Sequence, residues 1–393
     1  MVSQIEDQLN KSKIAIVVVG YNRLSSITRL LNSLLNANYS GIDTPLVVSI
    51  DCSDNSELYE YVRNFYWPFG DSYVLIQKNR LGLKEHIFQC GDLTTHFKAV
   101  IVFEDDTFVS PGFYSYVREA VHKYGDDDRV AGIALYLNEM NGYIGIPFTP
   151  LNNGSDVFAL QDACTSGECW TEKMWRGFRE WLKVSEIDFS KFEMPDQIRN
   201  WKNAWSKFFI AYLLKTNRYF IFPYLSLSTN FGDIGVHGRV VTTIVQVNIL
   251  WGQKEYRFFD FEDLVKYDIF LNNKELGKYL KIEDGDLCID FYGTNNNSAN
   301  KRYWLSILPM PFKVLKSYAL QMRPMELNIY NDIEGNEIFL YDTSMVVSKI
   351  NKAKINVEYF LYHLKGFRRD YLLKTALRHY GDAIKRKLNF FSK

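Results

Sequence analysis

Residues 99–106 read AVIVFEDD, five apolar residues running straight into three carboxylates. An unbroken apolar run of this length suits a strand buried on both faces of a parallel sheet. The acids then fall just past its carboxyl end, where open α/β sheets bind their ligands. Outward from this stretch, Ser110-Pro111 predicts a helix start with proline at the first position. Phe113, Tyr116, Val117, Ala120, Val121 and Tyr124 supply its apolar stripe, and residues 130–136 read as the next strand.

Upstream, residues 14–19 form another continuous β-branched and apolar run, followed by the loop Gly20-Tyr21-Asn22-Arg23. Ile27, Leu30, Leu31, Leu34 and Leu35 then recur at helical spacing, with Ser25 or Ser26 as the expected cap. Residues 46–50 predict a second strand ending at Asp51, and residues 73–76 a third. Alternating strands and helices joined by short loops imply an α/β fold with a mostly parallel sheet. Arg23, Asp51, Glu104, Asp105 and Asp106 all lie just beyond strand ends, which makes them the candidate ligand-binding set.

Beyond residue 142 the pattern changes. Trp170, Trp175, Trp181, Trp201 and Trp205 fall in a loop-rich stretch expected to cover the crevice and shape an acceptor site. Residues 240–251 read as β-rich, residues 287–292 as a strand, and Asn295 to Ser298 as a loose linker. Residues 326–341 read as a hairpin turning at Glu334-Gly335-Asn336. The expected division is a catalytic domain over 1–240, with a nucleotide-binding half (13–136) and an acceptor half (142–238), and a smaller C-terminal α+β region over 241–393.

The 393 residues carry 46 basic and 46 acidic side chains, so a general nucleic-acid footprint is absent. The balance is uneven, because residues 364–393 hold nine Lys or Arg against two Asp. Leu373, Leu377, Tyr380, Ile384, Leu388 and Phe391 recur there at steps of three and four, with Lys374, Arg378, Lys385, Arg386 and Lys387 beside them. That pattern predicts a basic amphipathic helix, suited either to an anionic membrane surface or to packing on its own domain. No apolar stretch is long enough to span a bilayer. Five scattered cysteines without metal-ligand spacing suggest free thiols and a cytoplasmic setting, and the basic tail adds an expected peripheral position on the inner face of the plasma membrane.

Three acids after a buried strand suit one chemistry in particular. A departing diphosphate builds negative charge, and a divalent cation bridging its oxygens stabilises that charge directly. Mn²⁺ and Mg²⁺ accept a site with only one or two protein carboxylates, phosphate and water supplying the rest. Asp126-Asp127-Asp128, by contrast, has no buried strand leading into it and reads as a solvated turn.

The stretches VVVGYNRLSSITRLLNSLL, VVSIDCSD, NRLGLKEHI, VIVFEDDTFVSPGFYSYV and NFGDIGVHG, in this order over residues 13–238, resemble GT-A-fold glycosyltransferases. They are similar in particular to the N-acetylglucosaminyltransferase I family and related bacterial polysaccharide glycosyltransferases. The resemblance implies inverting transfer of a hexosyl or N-acetylhexosaminyl group from a UDP-sugar, with Mn²⁺, to a glycan or lipid-linked glycan hydroxyl. It places Arg23 and Asp51 on the nucleotide, Asp105 on the ribose, Asp106 on the metal and Glu104 near the donor sugar. Lys84 and His86 would lie where the family places a basic residue near the diphosphate.

Inverting transfer needs a base for the acceptor hydroxyl. Where relatives carry a carboxylate beside a tryptophan, this chain reads Asn200-Trp201-Lys202-Asn203-Ala204-Trp205. Glu168, in a glycine-containing turn ahead of a helix, and Asp196 are the candidates. His237, in the loop Phe231 to Gly238, is a further candidate metal or phosphate contact. The missing carboxylate keeps a second reading open, a nucleotide-sugar-binding or scaffolding protein on the same fold. A sugar nucleotidyltransferase and a dehydrogenase are disfavoured, since Gly20-Tyr21-Asn22-Arg23 is no glycine-rich phosphate loop.

Overall fold

The computed structural model describes residues 11–235, 243–283, 285–295, 301–348, 359, 361–364 and 368–391, and the side chains of all of these except 382–391. The chain divides into two compact units, Met1–Leu305 and Ser306–Lys393.

The first unit is mixed α/β, built on a nine-stranded, mostly parallel sheet. Strands β1 (Ile14–Gly20), β2 (Leu46–Ile50), β3 (Ser72–Ile76) and β4 (Ala99–Glu104) pair in parallel in the order β4-β1-β2-β3. β1 and β2 are buried along their whole length, which is why they read as unbroken apolar runs. The helices between them are α1 (Leu24–Leu35), α2 (Ser56–Arg63) and α3 (Leu83–Asp92). β5 (Thr107–Val109) and α4 (Phe113–Tyr124) follow β4, and then comes β6 (Val130–Ala134). Helix α4 begins at Phe113 rather than at Pro111. Ser110 Oγ accepts from the Gly112 amide at 3.1 Å, fixing the turn that feeds the helix.

The rest of the sheet comes from the tryptophan-rich stretch. Between short β7 (Met140–Asn141) with β8 (Ile146–Pro147), and α5 (Glu172–Val184), lie β9 (Val157–Leu160) and β10 (Glu168–Thr171). β10 inserts antiparallel between β4 and β6, with Glu168 opposite Val102 on one side and Ala134 on the other. Short α6 (Asp196–Arg199) and α7 (Trp205–Thr216) lead to β11 (Tyr219–Pro223), which pairs with β6 and β9. β12 (Ser228–Asn230) pairs with β5. β13 (Lys266–Tyr267) completes the sheet beside β9.

Trp170, Trp175 and Trp205 do not line an open site. They are buried and packed with Phe178 and Phe209, while Trp201 is exposed. Of residues 240–251, expected to be β-rich, 240–242 lie outside the described residues, and 243–251 contribute a turn and an isolated bridge from Ile249 to Ser226. After β13 come α8 (Leu276–Leu280), then β14 (Leu287–Asp290), where a strand was expected, and then β15 (Tyr303–Ser306). All five cysteines are free, four of them buried, and only Cys52 is partly exposed.

In the second unit β16 (Phe312–Tyr318) pairs antiparallel with β17 (Ile338–Val346). The expected hairpin over 326–341 is corrected by this pairing. Residues 326–330 form α9 (Glu326–Tyr330), so β17 finds its partner further upstream. The last element is α10, Arg369–Phe391.

Candidate active site

The carboxyl ends of β1 and β4 converge on one ionic cluster. Asp105 and Asp106 follow β4 directly, and Arg23 stands at the entrance to α1. Arg23 grips Asp105 with two donors, Nε to Oδ2 at 3.2 Å and Nη2 to Oδ1. Its Nη1 donates to Asp106 Oδ2 at 3.1 Å and to the Asp233 carbonyl at 3.2 Å. One planar guanidinium therefore ties together the first strand, the fourth strand and a loop some two hundred residues downstream. A fork of fixed geometry suits this task where a lysine's point charge would not.

The downstream loop is itself anchored. Asp233 accepts from Ser26 Oγ at 2.7 Å and pairs with Arg29, whose guanidinium lies 3.8 Å from the Phe231 ring centre. Ser26, expected as a cap, spends its hydroxyl here, and α1 starts without a side-chain cap. Asn230 Nδ2 donates to Asp106 Oδ1 at 3.1 Å, and the Phe231 amide donates to the Asp106 carbonyl at 2.9 Å. His237, a candidate contact in the same loop, lies outside the described residues.

Glu104 sits beside this cluster and accepts from the Trp205 side chain. Desolvation of its deeply set carboxyl, with Asp106 and Asp105 close by, pushes its pKa up to about 8. Burial also raises Asp105, to about 6, against the opposing pull of Arg23. Glu168 is the diagonal neighbour of Glu104 across the β4–β10 pairing and is wholly buried. It is the first residue of a central strand rather than part of a surface turn, and Gly167 makes this possible. That glycine holds φ at +107°, and a Cβ there would come within 2.9 Å of Phe103 and Ser228. Glu168 Oε2 accepts from the Gly167 amide at 3.1 Å, while Oε1 has no hydrogen-bond partner among the described residues. Burial, then the neighbouring Glu104, holds its pKa well above the usual carboxylate range. The two glutamates thus form a pair that favours holding a proton at neutral pH.

Asp51 takes a different role in the fold from the others. Its Oδ1 accepts from the Leu81 and Cys52 amides, both at 2.8 Å, and its Oδ2 from the Gly82 amide at 3.0 Å. Gly82, at φ +76°, caps α3. Asp51 therefore fastens the loop after β3 to the end of β2. Across the mouth, Arg80 stacks on Tyr21, its Cζ 4.2 Å from the ring centre.

Lys84, in the first turn of α3, lies 3.0 Å from Glu85 and 5.0 Å from the Phe208 ring centre on α7. His86 is buried with Nε2 2.7 Å from Ser49 Oγ, and desolvation lowers its pKa to about 4. Asp196, on α6, pairs with Arg199 and keeps 61% of its side chain exposed. Arg23, Glu104, Asp105, Asp106 and Glu168 are thus brought together, with Asp51 at a neighbouring strand end. Lys84 and Asp196 are tied to partners of their own.

Among the described residues no group of three or more His, Cys, Asp or Glu is placed to hold a metal ion. A cation here would rest on Asp106, with oxygens from a bound ligand. Asp106 fits that role, since two hydrogen bonds leave lone pairs free on a carboxylate. One carboxylate plus phosphate oxygens is a donor set that Mg²⁺ and Mn²⁺ accept. Sequence reading set Trp205 at an acceptor site rather than beside Glu104, and it missed Asn230, Arg29 and Asp233 as site residues. These three lie on or against the NFGDIGVHG stretch, whose Asp233 was the available signal.

No protein-family model and no curated protein matches the chain. Among solved structures it is similar to S. aureus TarS 1-349 in complex with UDP-GlcNAc, at 15% identity and a TM-score of 0.38, over 58% of this chain and 61% of that one. It is also similar to GalNAc-T7 with UDP, GalNAc and Mn²⁺, at 12% identity and a TM-score of 0.38, over 56% and 43%. A third likeness is the mannosyltransferase PcManGT from Pyrobaculum calidifontis in complex with GDP-Man and Mn²⁺, at 13% identity and a TM-score of 0.30, over 46% and 51%. The chain thus spans less than two thirds of the length of each of these structures.

Proposed function

We propose that the chain is a GT-A-type glycosyltransferase using a nucleotide-sugar donor, a UDP-sugar above all, and attaching a hexosyl or N-acetylhexosaminyl group with inversion to a glycan or lipid-linked hydroxyl. The observation that carries this reading is the Arg23–Asp105–Asp106 cluster at the carboxyl ends of β1 and β4. Catalytic glycosyl transfer needs a leaving diphosphate to be oriented and its charge met at one point. This cluster supplies a fixed carboxylate, Asp106, at the mouth of the sheet.

A bound Mn²⁺ or Mg²⁺ supplies Lewis-acid stabilisation of the departing phosphate charge. Asp106 would hold it, and Arg23 and Asn230 keep that carboxylate in place. Asp105, clamped twice by Arg23, is positioned for a ribose hydroxyl. Asp51 shapes the base-binding end by fixing Leu81 and Gly82. Glu104 faces the donor sugar, and Glu168 beside it is assigned as the proton acceptor for the attacking hydroxyl in preference to Asp196. The reason is adjacency, since Glu168 borders Glu104 whereas Asp196 is occupied by Arg199. Because Glu168 is buried and favours its protonated form, acceptor binding has to open its surroundings so that it releases its own proton before it can take the one from the hydroxyl.

The purified chain should bind UDP more tightly with Mn²⁺ than without, and should release UDP from a UDP-sugar. Absence of nucleotide affinity under both conditions removes the proposal. A second reading is favoured by the stretch 200–205, which carries no carboxylate, and by the burial of Glu168. On that reading the chain binds a nucleotide-sugar without transferring it. Tight binding without turnover across a panel of donors and acceptors would select it.

A further inference from the structure

We infer that α10 is a docking surface for an anionic lipid bilayer, lying along it rather than crossing it. The inference stands apart from the proposed activity. Helix α10 runs over 23 residues, roughly 35 Å at the usual rise. Between Tyr371 and Tyr380 every residue except Leu372 is exposed, so among the described residues this part of the helix packs on none of its own unit's core. Leu373 is 62% exposed, Leu377 64% and Tyr380 70%. Added atoms at Gly381 would meet nothing within 4 Å.

Steps of four and three place Leu373, Leu377 and Tyr380 on one narrow arc of the helix. The sequence repeats apolar residues at the same spacing at 384, 388 and 391. A stripe of this kind has no reason to persist along a helix that water surrounds on all sides, and an isolated helix is only marginally stable there. It needs an apolar surface to cover it.

Charge identifies the surface. Within α10 six Lys or Arg stand against Asp370 and Asp382. Lys374 and Arg378 flank the stripe, and long basic side chains there can rest their methylenes on the apolar boundary while their charges reach phosphate headgroups. Two copies meeting through this face would bring like charges together, which an anionic leaflet avoids. No helix among the described residues is long and apolar enough to cross a membrane, so the helix lies in the interface.

The test uses the full chain and sucrose-loaded vesicles, either phosphatidylcholine alone or with about one-third phosphatidylglycerol. The expected result is co-sedimentation with the anionic vesicles, weakened by added salt, and little with the neutral ones. The double variant Leu373→Glu/Leu377→Glu should lower anionic-vesicle affinity about tenfold or more, since two anchoring side chains are lost. Both positions are exposed, so its unfolding curve should match that of the parent protein. Equal sedimentation of parent and variant overturns the inference, as does equal binding to neutral vesicles. A lipid-free dimer that the double variant dissociates would also overturn it, assigning the face to a second copy.

Discussion

Replacing Arg23 with Met tests whether the ionic cluster holds the site together. The guanidinium is only about one-fifth exposed, and its partners Asp105 and Asp106 are 7% and 13% exposed at their side chains. Removing one member of such a buried set leaves charges without compensation, a loss of about 3–5 kcal/mol in comparable cases. Since water reaches Arg23 from one side and Asn230 still serves Asp106, the lower end, about 3 kcal/mol, is expected here. Asp105→Asn alone keeps the Arg23–Asp106 contact and should cost about 1–2 kcal/mol. In the double variant the buried charge of Asp105 is gone, so the Arg23 substitution no longer strands it. The double variant should therefore be more stable than the sum of the single losses by about 1.5 kcal/mol or more. Urea unfolding followed by tryptophan fluorescence is the suitable assay, because all eight tryptophans fall within residues 67–304 and report on the larger unit. Single losses that add within about 0.5 kcal/mol would show the pairing to be energetically idle and refute the reasoning.

Asp106→Asn keeps an acceptor for Arg23 but removes the charge. It should abolish the Mn²⁺-dependent gain in UDP affinity by calorimetric titration and lower turnover by about 10²-fold or more, with a stability change under about 1.5 kcal/mol. Glu168→Gln preserves shape and the acceptor for the Gly167 amide. It should leave the urea midpoint unchanged or slightly raised while transfer falls about 10²-fold, whereas Asp196→Asn leaves transfer intact. His86 is neutral in the fold and titrates near 6.5 once unfolded, so the unfolded chain binds the extra proton first as pH falls. Stability should therefore drop between pH 6.5 and about 4, by up to about 3 kcal/mol, and His86→Gln should flatten that part of the pH–stability curve.

The half of the sheet that reads clearly from sequence is the half whose strands are buried on both faces. β1, β2 and β4 have no need of alternation, and their apolar runs end at the residues that gather in the site. The other half was illegible for a physical reason. β10 is four residues long and opens on a glutamate, an unusual choice for the middle of a sheet, so Glu168 read as part of a turn. Its burial depends on the neighbours β4 and β6, which no local pattern reports. Tryptophans at 170, 175 and 205 were expected to shape an acceptor site but are packed in the interior, since aromatic content alone does not say which face a ring presents. The β16–β17 pairing was misread because the turn residues 334–336 lie next to β17 while its partner strand lies beyond α9.

Cys52 follows Asp51 at the end of β2, and its amide donates to that carboxylate. The other four thiols are shielded from solvent. A thiol-reactive fluorophore should accordingly attach at a single place, one peptide bond from the carboxylate-bearing residue that secures the loop after β3. Occupancy of the crevice then becomes readable as a change in emission from the unmodified sequence, with no engineered attachment point required.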